Sequence, residues 1–201
     1  MSADPKTIET YAAKAGDYLR MTATTQPTAS LQRFMALLPP SAKVLDIGCG
    51  PGTESALMRA AGLDPDPFDA SAEMVALAQE TYSLPARVAS FDDITQQATY
   101  DGAWANFSLL HARRGDLPRH LHAIARALKP SGIFHIAMKT GEGEKRDSLG
   151  RFYTYISVTD LQSILHDTGF EPLHVDEDEG PGLAGKQEPF VTICARLQND
   201  A

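Results

Sequence analysis

A glycine-rich turn directly after a short apolar segment constrains the fold of this 201-residue chain more than any other feature. The apolar segment is Val44-Leu45-Asp46-Ile47, and Gly48-Cys49-Gly50-Pro51-Gly52-Thr53 leads from it towards a helical pattern. Three alternating glycines let the backbone turn tightly and approach a ligand closely. The segment therefore predicts a strand–turn–helix unit with a ligand site at the end of the strand.

Strand and helix patterns alternate from about residue 30 to the end of the chain. This alternation is typical of a parallel sheet with helices on both faces. The two final strands, near 172–175 and 190–196, have too little chain between them for a parallel crossover and should form an antiparallel hairpin. We predict one doubly wound α/β domain over residues 1–201. Its seven-stranded sheet is expected to be mostly parallel with an antiparallel last strand, in the order 3-2-1-4-5-7-6.

The second predicted strand contains two prolines, Pro65 and Pro67, before Phe68. Because alternate residues of a strand face the same neighbour, both missing N–H groups point to one flanking strand. We expect hydrogen bonding to be deficient on that side and the strand to be regular only near Phe68.

Composition narrows the function. The chain has 18 basic and 26 acidic residues, a net charge of −8, which argues against a nucleic-acid groove because phosphate binding needs clustered Lys and Arg. No apolar run approaches the roughly 18–20 residues of a membrane span. The N-terminal residues lack the features of a signal peptide. We expect a cytoplasmic protein, a monomer or small homo-oligomer, with a small-molecule substrate and no nucleic acid, membrane or metal partner.

Two cofactors suit such a glycine turn. A dinucleotide site would need glycine at the position of Thr53, and its pyrophosphate would be repelled by Asp46, two residues before the first glycine. A carboxylate there suits a ligand with an ammonium and a sulfonium group. The turn therefore favours S-adenosylmethionine over a nicotinamide nucleotide.

Four segments together resemble the motifs of the class I S-adenosylmethionine-dependent methyltransferases, and the resemblance covers nearly all of the chain. They are VLDIGCGPG (44–52), DASAEMVALA (69–78), SFDDI (90–94) and ANFSLLHA (105–112). Within that class the chain looks most similar to bacterial small-molecule enzymes, including the tellurite-resistance and trans-aconitate methyltransferase-like groups.

The resemblance implies that S-adenosylmethionine binds at consecutive strand ends and leaves as S-adenosylhomocysteine. It implies that Asp69 holds the ribose hydroxyls and that Asp92, or else Asp93, accepts the adenine amine. Met74 and Phe91 could cover the two faces of the adenine. The predicted cofactor-binding residues are Tyr11, Tyr18, Asp46, Gly48, Cys49, Gly50, Gly52, Asp69, Ala70, Ser71, Met74, Phe91, Asp92, Asp93, Asn106 and Phe107.

Fewer sequence features indicate the residues for catalysis and for binding of the acceptor. His111 is a candidate general base, and its alternative is a histidine that merely starts a helix. A helical segment over residues 1–30 and a polar loop over 140–151 should cover the acceptor as lids. The predicted acceptor-site residues are Lys139, Arg146, Arg151 and Tyr153, joined by Tyr11, Tyr18 and Tyr155. Three cations would suit a small anionic acceptor, although ordinary surface charge is the alternative.

The leading hypothesis is a small-molecule methyltransferase. The alternatives are a non-catalytic or regulatory protein that binds S-adenosylmethionine and, less favoured, an NAD-dependent oxidoreductase. An amino-directed DNA methyltransferase is disfavoured because the chain is acidic and has Asn106-Phe107-Ser108-Leu109 where those enzymes carry an Asn/Asp-Pro-Pro-aromatic run.

Overall fold

A sheet built around the strand that precedes the glycine turn organises the computed structural model, which describes residues 4–198. The helices are α1 (Pro5–Ala13), α2 (Ala15–Thr22), α3 (Ala29–Ala36), α4 (Thr53–Ala60), α5 (Ala72–Tyr82), α6 (Leu117–Ala127) and α7 (Val158–Asp167). The strands are β1 (Lys43–Ile47), β2 (Asp64–Asp69), β3 (Arg87–Val88), β4 (Tyr100–Asn106), β5 (Leu128–Lys139), β6 (Glu144–Arg146), β7 (Phe152–Thr154), β8 (Phe170–Pro181) and β9 (Gln187–Leu197). Over the described range, no helix is both long and apolar enough to cross a bilayer.

The sheet has seven strands in the order β3-β2-β1-β4-β5-β9-β8. Strands β1 to β5 pair in parallel, and β9 is antiparallel to both β5 and β8. The predicted fold class is confirmed. The predicted order counted only sheet strands, so β8 and β9 are its strands six and seven. The numbering differs because β6 and β7 form a separate two-stranded ribbon that the sequence did not predict.

Strand β2 was predicted to lack hydrogen bonds towards one of its two neighbouring strands because of Pro65 and Pro67, and it does so towards β3. It pairs with β1 from Asp64 to Phe68 but with β3 only at Phe68 and Asp69. The carbonyl of Phe68 faces β1, since it accepts the amide of Gly48, so Pro65 and Pro67 face the other side. The ladder is deficient towards β3, as predicted. The expectation of a strand regular only near Phe68 is wrong, because the residues alternating with the prolines supply every bond to β1.

The last two strands are longer than predicted. Pairing between β8 and β9 continues from Phe170 opposite Leu197 to Pro181 opposite Gln187. The acidic segment after Val175, predicted to be a linker, therefore forms most of a β-ribbon. Strand β9 is paired with β5 only between Phe190 and Arg196. The part of the ribbon that precedes Phe190 on β9 therefore extends past the end of β5. This extension places residues 180–188 above the carboxyl end of β5.

Apolar side chains of the strands alternate between the two faces of the sheet, and helices pack against them on each face. On one face Leu45 and Ile47 pack in the same cluster as residues of α6 and α7, among them Leu121 and Leu161. On the other, Val44 and Trp104 pack with α3 and α4. Each such buried side chain stabilises the fold by roughly 1.5–3 kcal/mol relative to exposure. This packing fixes the strands rigidly and holds their carboxyl ends at one edge.

Candidate active site

The carboxyl ends of β1, β2 and β4 border a cleft, at the edge of the sheet where open α/β folds bind their ligands. Helices α1 and α2 close it from above with Tyr11 and Tyr18. The predicted cofactor residues that line the cleft are Tyr11, Tyr18, Gly48, Gly50, Asp69, Ala70, Ser71, Met74, Phe91, Asn106 and Phe107. His111 lines the same cleft.

The glycine turn after β1 has a backbone that side chains would disrupt. Gly48 has φ +71°, and a Cβ there would lie 2.5 Å from the Cβ of Ser108. Gly50 has φ +54°, and its Cβ would lie 3.4 Å from the ring of Tyr18. The amides of Gly48 and Cys49 both donate to the carbonyl of Phe68 at 2.9 Å. The turn is thus tied to the end of β2 and presents bare backbone to the cleft.

Asp69 at the end of β2 is held by backbone amides on both oxygens. Gly50 N donates to Oδ2 at 2.9 Å and Ser71 N donates to Oδ1 at 2.8 Å. Ser71 then begins α5 by accepting the amide of Met74. Burial raises the pKa of Asp69, and the hydrogen bonds from Ser71 and Gly50 oppose that rise. Each carboxylate oxygen keeps a lone pair for a further donor, such as a hydroxyl group.

Asp46 lies behind the turn and is not among the residues that line the cleft, so its part in cofactor binding stays a prediction. Its side chain is buried and accepts the hydroxyl of Ser55 at 2.6 Å. Burial and the nearby charge of Glu54 raise the pKa of Asp46 to about 8. The strand alternation that orients Leu45 and Ile47 to one face turns Asp46 to the opposite one, towards α4.

Glu54 is a half-buried acid beside this site that the sequence motifs do not indicate. Its carboxylate accepts Trp104 Nε1 at 2.6 Å and Asn106 Nδ2 at 2.8 Å. Burial raises the pKa of Glu54 to about 7, while the two hydrogen bonds lower it. No motif marks this residue, because its partners lie about fifty residues away on β4. With Asp46 it places two acids beneath the glycine turn.

Four predicted cofactor residues besides Asp46 lie off the cleft. Asp92 pairs with Arg119, and Asp93 accepts the amide and hydroxyl of Ser90 at 2.7 and 2.8 Å, so both carboxylates have local partners. Cys49 packs against the cluster formed by Val75, Ala78, Leu84 and Ala86, and burial raises the pKa of its thiol. Gly52 has φ +87° and allows α5 to approach, since a Cβ there would lie 2.6 Å from Leu84.

Several lining residues were not predicted. They are Asp4, Thr7, Ile8, Phe68, Ala89, Ser90 and Ser108. The first three come from α1 and its cap, which carry no motif and reach the cleft only through tertiary packing. The hydroxyl of Ser108 is buried and has no hydrogen-bond partner among residues 4–198. A buried donor without a partner is costly, so Ser108 is suited to a ligand atom in the cleft.

His111 is fixed by two hydrogen bonds that determine its tautomer. Its Nδ1 lies 2.6 Å from the carbonyl of Phe152, which can only accept, so Nδ1 carries the proton. Its Nε2 lies 2.9 Å from Tyr11 Oη and accepts the phenol proton. Tyr11 Oη in turn accepts Arg151 Nη1 at 2.9 Å. Burial lowers the pKa of His111 to about 4, so the ring is neutral at neutral pH.

A second cavity, of about 850 Å³, adjoins the first and shares Tyr11, Tyr18, Asn106 and Phe107 with it. Its other lining residues are Met21, Thr22, Leu110, Lys139, Arg151, Tyr153, Gly180, Pro181, Gly182, Leu183, Glu188 and Phe190. Three of the four predicted acceptor residues, Lys139, Arg151 and Tyr153, are therefore brought together. The contributions of the β8–β9 ribbon were not predicted, because residues 176–189 were taken for a linker.

Arg146 is not among the residues that line either cavity, so its place in the acceptor site stays a prediction. It is exposed on β6 and donates to both carboxylate oxygens of Asp4 at 2.7 and 2.8 Å. The hydrogen bond from Arg146 is the largest factor that lowers the pKa of Asp4. The pair links the loop before β7 to the start of α1.

The two remaining cations also have acidic partners. Arg151 is buried and donates Nε and Nη2 to Asp147 at 3.0 and 2.7 Å. Lys139 is 8% exposed and pairs with Glu188. Each predicted cation is therefore neutralised by a neighbouring carboxylate, and the acceptor cavity has little net positive charge.

Comparisons with known proteins agree with this geometry. Residues 19–175 match a family described as a methyltransferase domain. A comparison with curated proteins finds no match. Among solved structures, an S-adenosylmethionine-dependent methyltransferase from Methanosarcina mazei is 17% identical, with 87% of this chain and 100% of that chain covered and a TM-score of 0.76.

Two further structures have the same fold. The 1,6-didemethyltoxoflavin-N1-methyltransferase of Burkholderia thailandensis, solved with 1,6-didemethyltoxoflavin and S-adenosylhomocysteine, is 22% identical (96% of this chain, 88% of that chain, TM-score 0.73). TehB from Haemophilus influenzae is 19% identical (92% and 67%, TM-score 0.72). At these identities the likeness shows the fold alone, whereas the family match covers over three quarters of the chain. The chain therefore belongs to the methyltransferase-domain family and is an S-adenosylmethionine-dependent methyltransferase with the class I fold.

Proposed function

We propose that the chain methylates a nitrogen or oxygen atom of a small molecule, with the cofactor in the first cleft and the acceptor in the second cavity. The observation that carries this proposal is that the two cavities meet at four shared residues. One of them, Tyr11, is hydrogen-bonded to His111. A donor in one cavity and an acceptor in the other would face each other at this junction. Holding them in line supplies much of the rate enhancement for a displacement reaction.

The residues of the first cleft fit S-adenosylmethionine. The bare backbone of Gly48 and Gly50 leaves room for the amino-acid tail, and the unpartnered hydroxyl of Ser108 lies beside that turn. The spare lone pairs of Asp69 suit the two ribose hydroxyls. Met74 and Phe91 supply an apolar surface for the adenine.

Charge supports the same placement. Asp46 and Glu54 lie beneath the turn, where a ligand with a cationic tail would favour their ionised forms. These acids act through space rather than by contact, since neither lines the cleft.

Bound S-adenosylmethionine supplies a methyl group on a sulfonium, whose sulfur keeps the electron pair of the broken bond and becomes a neutral thioether. The acceptor's lone pair forms the new bond to the methyl carbon, and the acceptor must then lose a proton. Tyr11 Oη accepts Arg151 Nη1 and also interacts with the hydroxyl of Tyr153, so the acceptor must displace Tyr153 before Tyr11 takes that proton. Tyr11 passes its own proton to Nε2 of His111.

The proton transfer to His111 is opposed by burial but helped by the change in charge that accompanies the reaction. Burial lowers the pKa of His111 to about 4, while the carbonyl of Phe152 stabilises the protonated ring. Methyl transfer removes a positive charge from the adjoining cleft, so the new charge on His111 replaces one that has gone. Arg151 holds Tyr11 in position for both hydrogen bonds.

We also propose that α1, α2 and the loop 140–151 act as lids. The two helices supply Tyr11 and Tyr18 to both cavities, and the loop is fastened to α1 by the pair of Arg146 and Asp4. Opening would require that pair to break together with the hydrogen bonds from Thr10 Oγ1 to the carbonyl of Leu149 and from Arg151 Nη1 to Tyr11 Oη.

The anionic acceptor suggested by three cations loses its main support, because each cation is paired with a carboxylate. Five aromatic rings line the second cavity instead: Tyr11, Tyr18, Phe107, Tyr153 and Phe190. A fold relative solved with the flat heterocycle 1,6-didemethyltoxoflavin is consistent with a small aromatic acceptor.

The experiment that tests the proposal combines the purified protein with methyl-labelled S-adenosylmethionine and small-molecule extracts, and identifies labelled products by mass. We expect a low-molecular-weight product that forms with the wild-type chain and much more slowly with Tyr11→Phe. If S-adenosylhomocysteine binds but no extract yields a labelled product, the chain is a cofactor-binding protein without turnover and the proposal is wrong.

A further inference from the structure

The wall of the second cavity contains an ion pair between the end of β5 and the β8–β9 ribbon. Lys139 Nζ contacts Glu188 Oε2, and the two side chains are only 9% and 15% exposed. Tyr155 Oη donates to the other carboxylate oxygen of Glu188 at 3.0 Å. The ammonium of Lys139 also lies 3.9 Å from the ring centre of Tyr153. Each member of the pair thus has one tyrosine as a further partner.

A contribution to folding stability does not explain why an ion pair stands at this position. Removing two charges from water costs free energy that their attraction seldom exceeds, and an apolar pair of the same size is often as stable. The ribbon already has an apolar contact with the body of the domain, since the ring of Phe190 lies 5.2 Å from that of Phe107, which directly follows β4. A polar pair that faces a cavity is better explained by what the cavity binds.

The pair offers one hydrogen-bond donor directly beside one acceptor. Lys139 has three N–H donors, of which one reaches Glu188 within the described residues. Glu188 uses one lone pair for Lys139 and one for Tyr155, so each of its oxygens can accept again. Gly182 of the ribbon lies close above the ammonium, since a Cβ there would be 3.7 Å from Lys139 Nζ.

We infer that Lys139 and Glu188 together recognise an amide-like edge, an N–H group next to a carbonyl, on a flat uncharged heterocycle that is the methyl acceptor. This inference rests on the proposed function and adds the class of its substrate. The N–H of the heterocycle donates to Glu188, and its carbonyl accepts from Lys139. The remaining hydrogen-bond acceptor of Glu188 and a remaining donor of Lys139 are then both used. The aromatic rings of Tyr11, Tyr18 and Phe107 cover the faces of the heterocycle.

Net charge explains why an ionised acceptor is disfavoured. An anion that reached Lys139 would also approach the carboxylate of Glu188, and a cation that reached Glu188 would approach the ammonium. Arg151 is committed to Asp147 and Tyr11 and does not change this balance. The pair therefore selects for adjacent donor and acceptor groups rather than for charge.

Binding measurements with the intact protein loaded with S-adenosylhomocysteine test the inference. The probes are quinazolinone, its N-methyl derivative, which keeps the carbonyl but lacks the N–H, and naphthoate, which is a similar bicyclic anion. We expect quinazolinone to bind best, and to exceed its N-methyl derivative by about tenfold or more, the effect of one hydrogen bond to a charged group.

Variants separate recognition from structure. Glu188→Gln should reduce the preference for quinazolinone over its N-methyl derivative to within about threefold, and it should strengthen naphthoate because the ammonium of Lys139 is no longer balanced. Lys139→Met should weaken quinazolinone and its N-methyl derivative alike, by about tenfold, and should leave naphthoate the weakest ligand. Lys186→Met, an exposed lysine in the same ribbon turn, should leave the preference unchanged. Thermal unfolding shows whether each variant is folded, and the double variant Lys139→Glu with Glu188→Lys restores the pair if a single one is not.

Each outcome bears on the inference. Naphthoate binding best, no binding of any probe, or an unchanged preference in Glu188→Gln would overturn it. Loss of S-adenosylhomocysteine binding itself would instead count against the proposed function. The two failures are therefore distinguishable in one set of titrations.

Discussion

Replacement of Gly48 by alanine gives the sharpest test of the glycine turn. An alanine at φ +71° adopts a left-handed conformation, which costs roughly 1–2 kcal/mol. Its Cβ would lie 2.5 Å from the Cβ of Ser108, an atom fixed to the backbone that cannot rotate away. The backbone after β4 must shift, and overpacking of this kind costs typically 1–3 kcal/mol. We therefore expect Gly48→Ala to lower the free energy of unfolding by roughly 2–5 kcal/mol.

Gly62 provides a matched control. It also has a left-handed backbone, with φ +87°, but a Cβ there has nothing within 4 Å. Gly62→Ala should lose only the conformational part, roughly 1–2 kcal/mol. Urea unfolding gives both values, and calorimetry with S-adenosylhomocysteine should show binding weakened in Gly48→Ala and unchanged in Gly62→Ala. Equal unfolding free energies and equal affinities in the two variants would refute the reasoning.

Three more predictions concern the proton path, the buried acids and the adenine wall. Tyr11→Phe and His111→Gln should each lower kcat by about 10²-fold or more once the acceptor is identified, with the double variant little worse than either, and rates that stay at the wild-type value would exclude the path. Burial raises the pKa of Asp46 to about 8, so the folded state keeps a proton that the unfolded state has lost. The free energy of unfolding should therefore fall as the pH rises from about 4 to 8, and Asp46→Asn should remove up to about 1.4 kcal/mol per pH unit of that fall; an equally steep fall in Asp46→Asn would contradict this. Phe91→Ala should weaken S-adenosylhomocysteine about tenfold by calorimetry, whereas Val88→Ala, an exposed neighbour on β3, should not; equal effects would remove Phe91 from the adenine wall.

The parts of the site that follow strand ends could be predicted from the sequence. The turn at Gly48 and the acid at Asp69 each come directly after an apolar strand, and parallel topology brings such positions to one edge. The order of motifs along the chain therefore becomes an order in space. Helix and strand patterns were sufficient for this step because the sheet core is apolar on both faces.

Orientation and long-range packing could not be predicted in the same way. The turn of Asp46 towards Ser55, and the partnership of Glu54 with Trp104, depend on how α4 packs on the sheet. Asp92 was assigned to adenine from its motif, but Arg119 on α6 binds its carboxylate. No spacing within a motif encodes a contact with a helix that comes much later in the chain.

The acceptor cavity was the least predictable part. Six of its sixteen lining residues come from the β8–β9 ribbon and its turn, and the acidic residues of this ribbon lack the apolar alternation that normally marks a strand. Backbone pairing with β9 compensates for that poor strand propensity. The same error hid Glu188, and with it the neutralisation of Lys139.

Calorimetric titration of S-adenosylhomocysteine into the wild-type chain and into Asp69→Asn measures the cofactor site most directly. One molecule should bind per wild-type chain, and the variant, at a temperature where circular dichroism shows it folded, should bind at least about tenfold more weakly because an amide offers one acceptor oxygen instead of two. NADH should not bind. No heat with S-adenosylhomocysteine, or equal affinity in the two proteins, would contradict the assignment of this cleft.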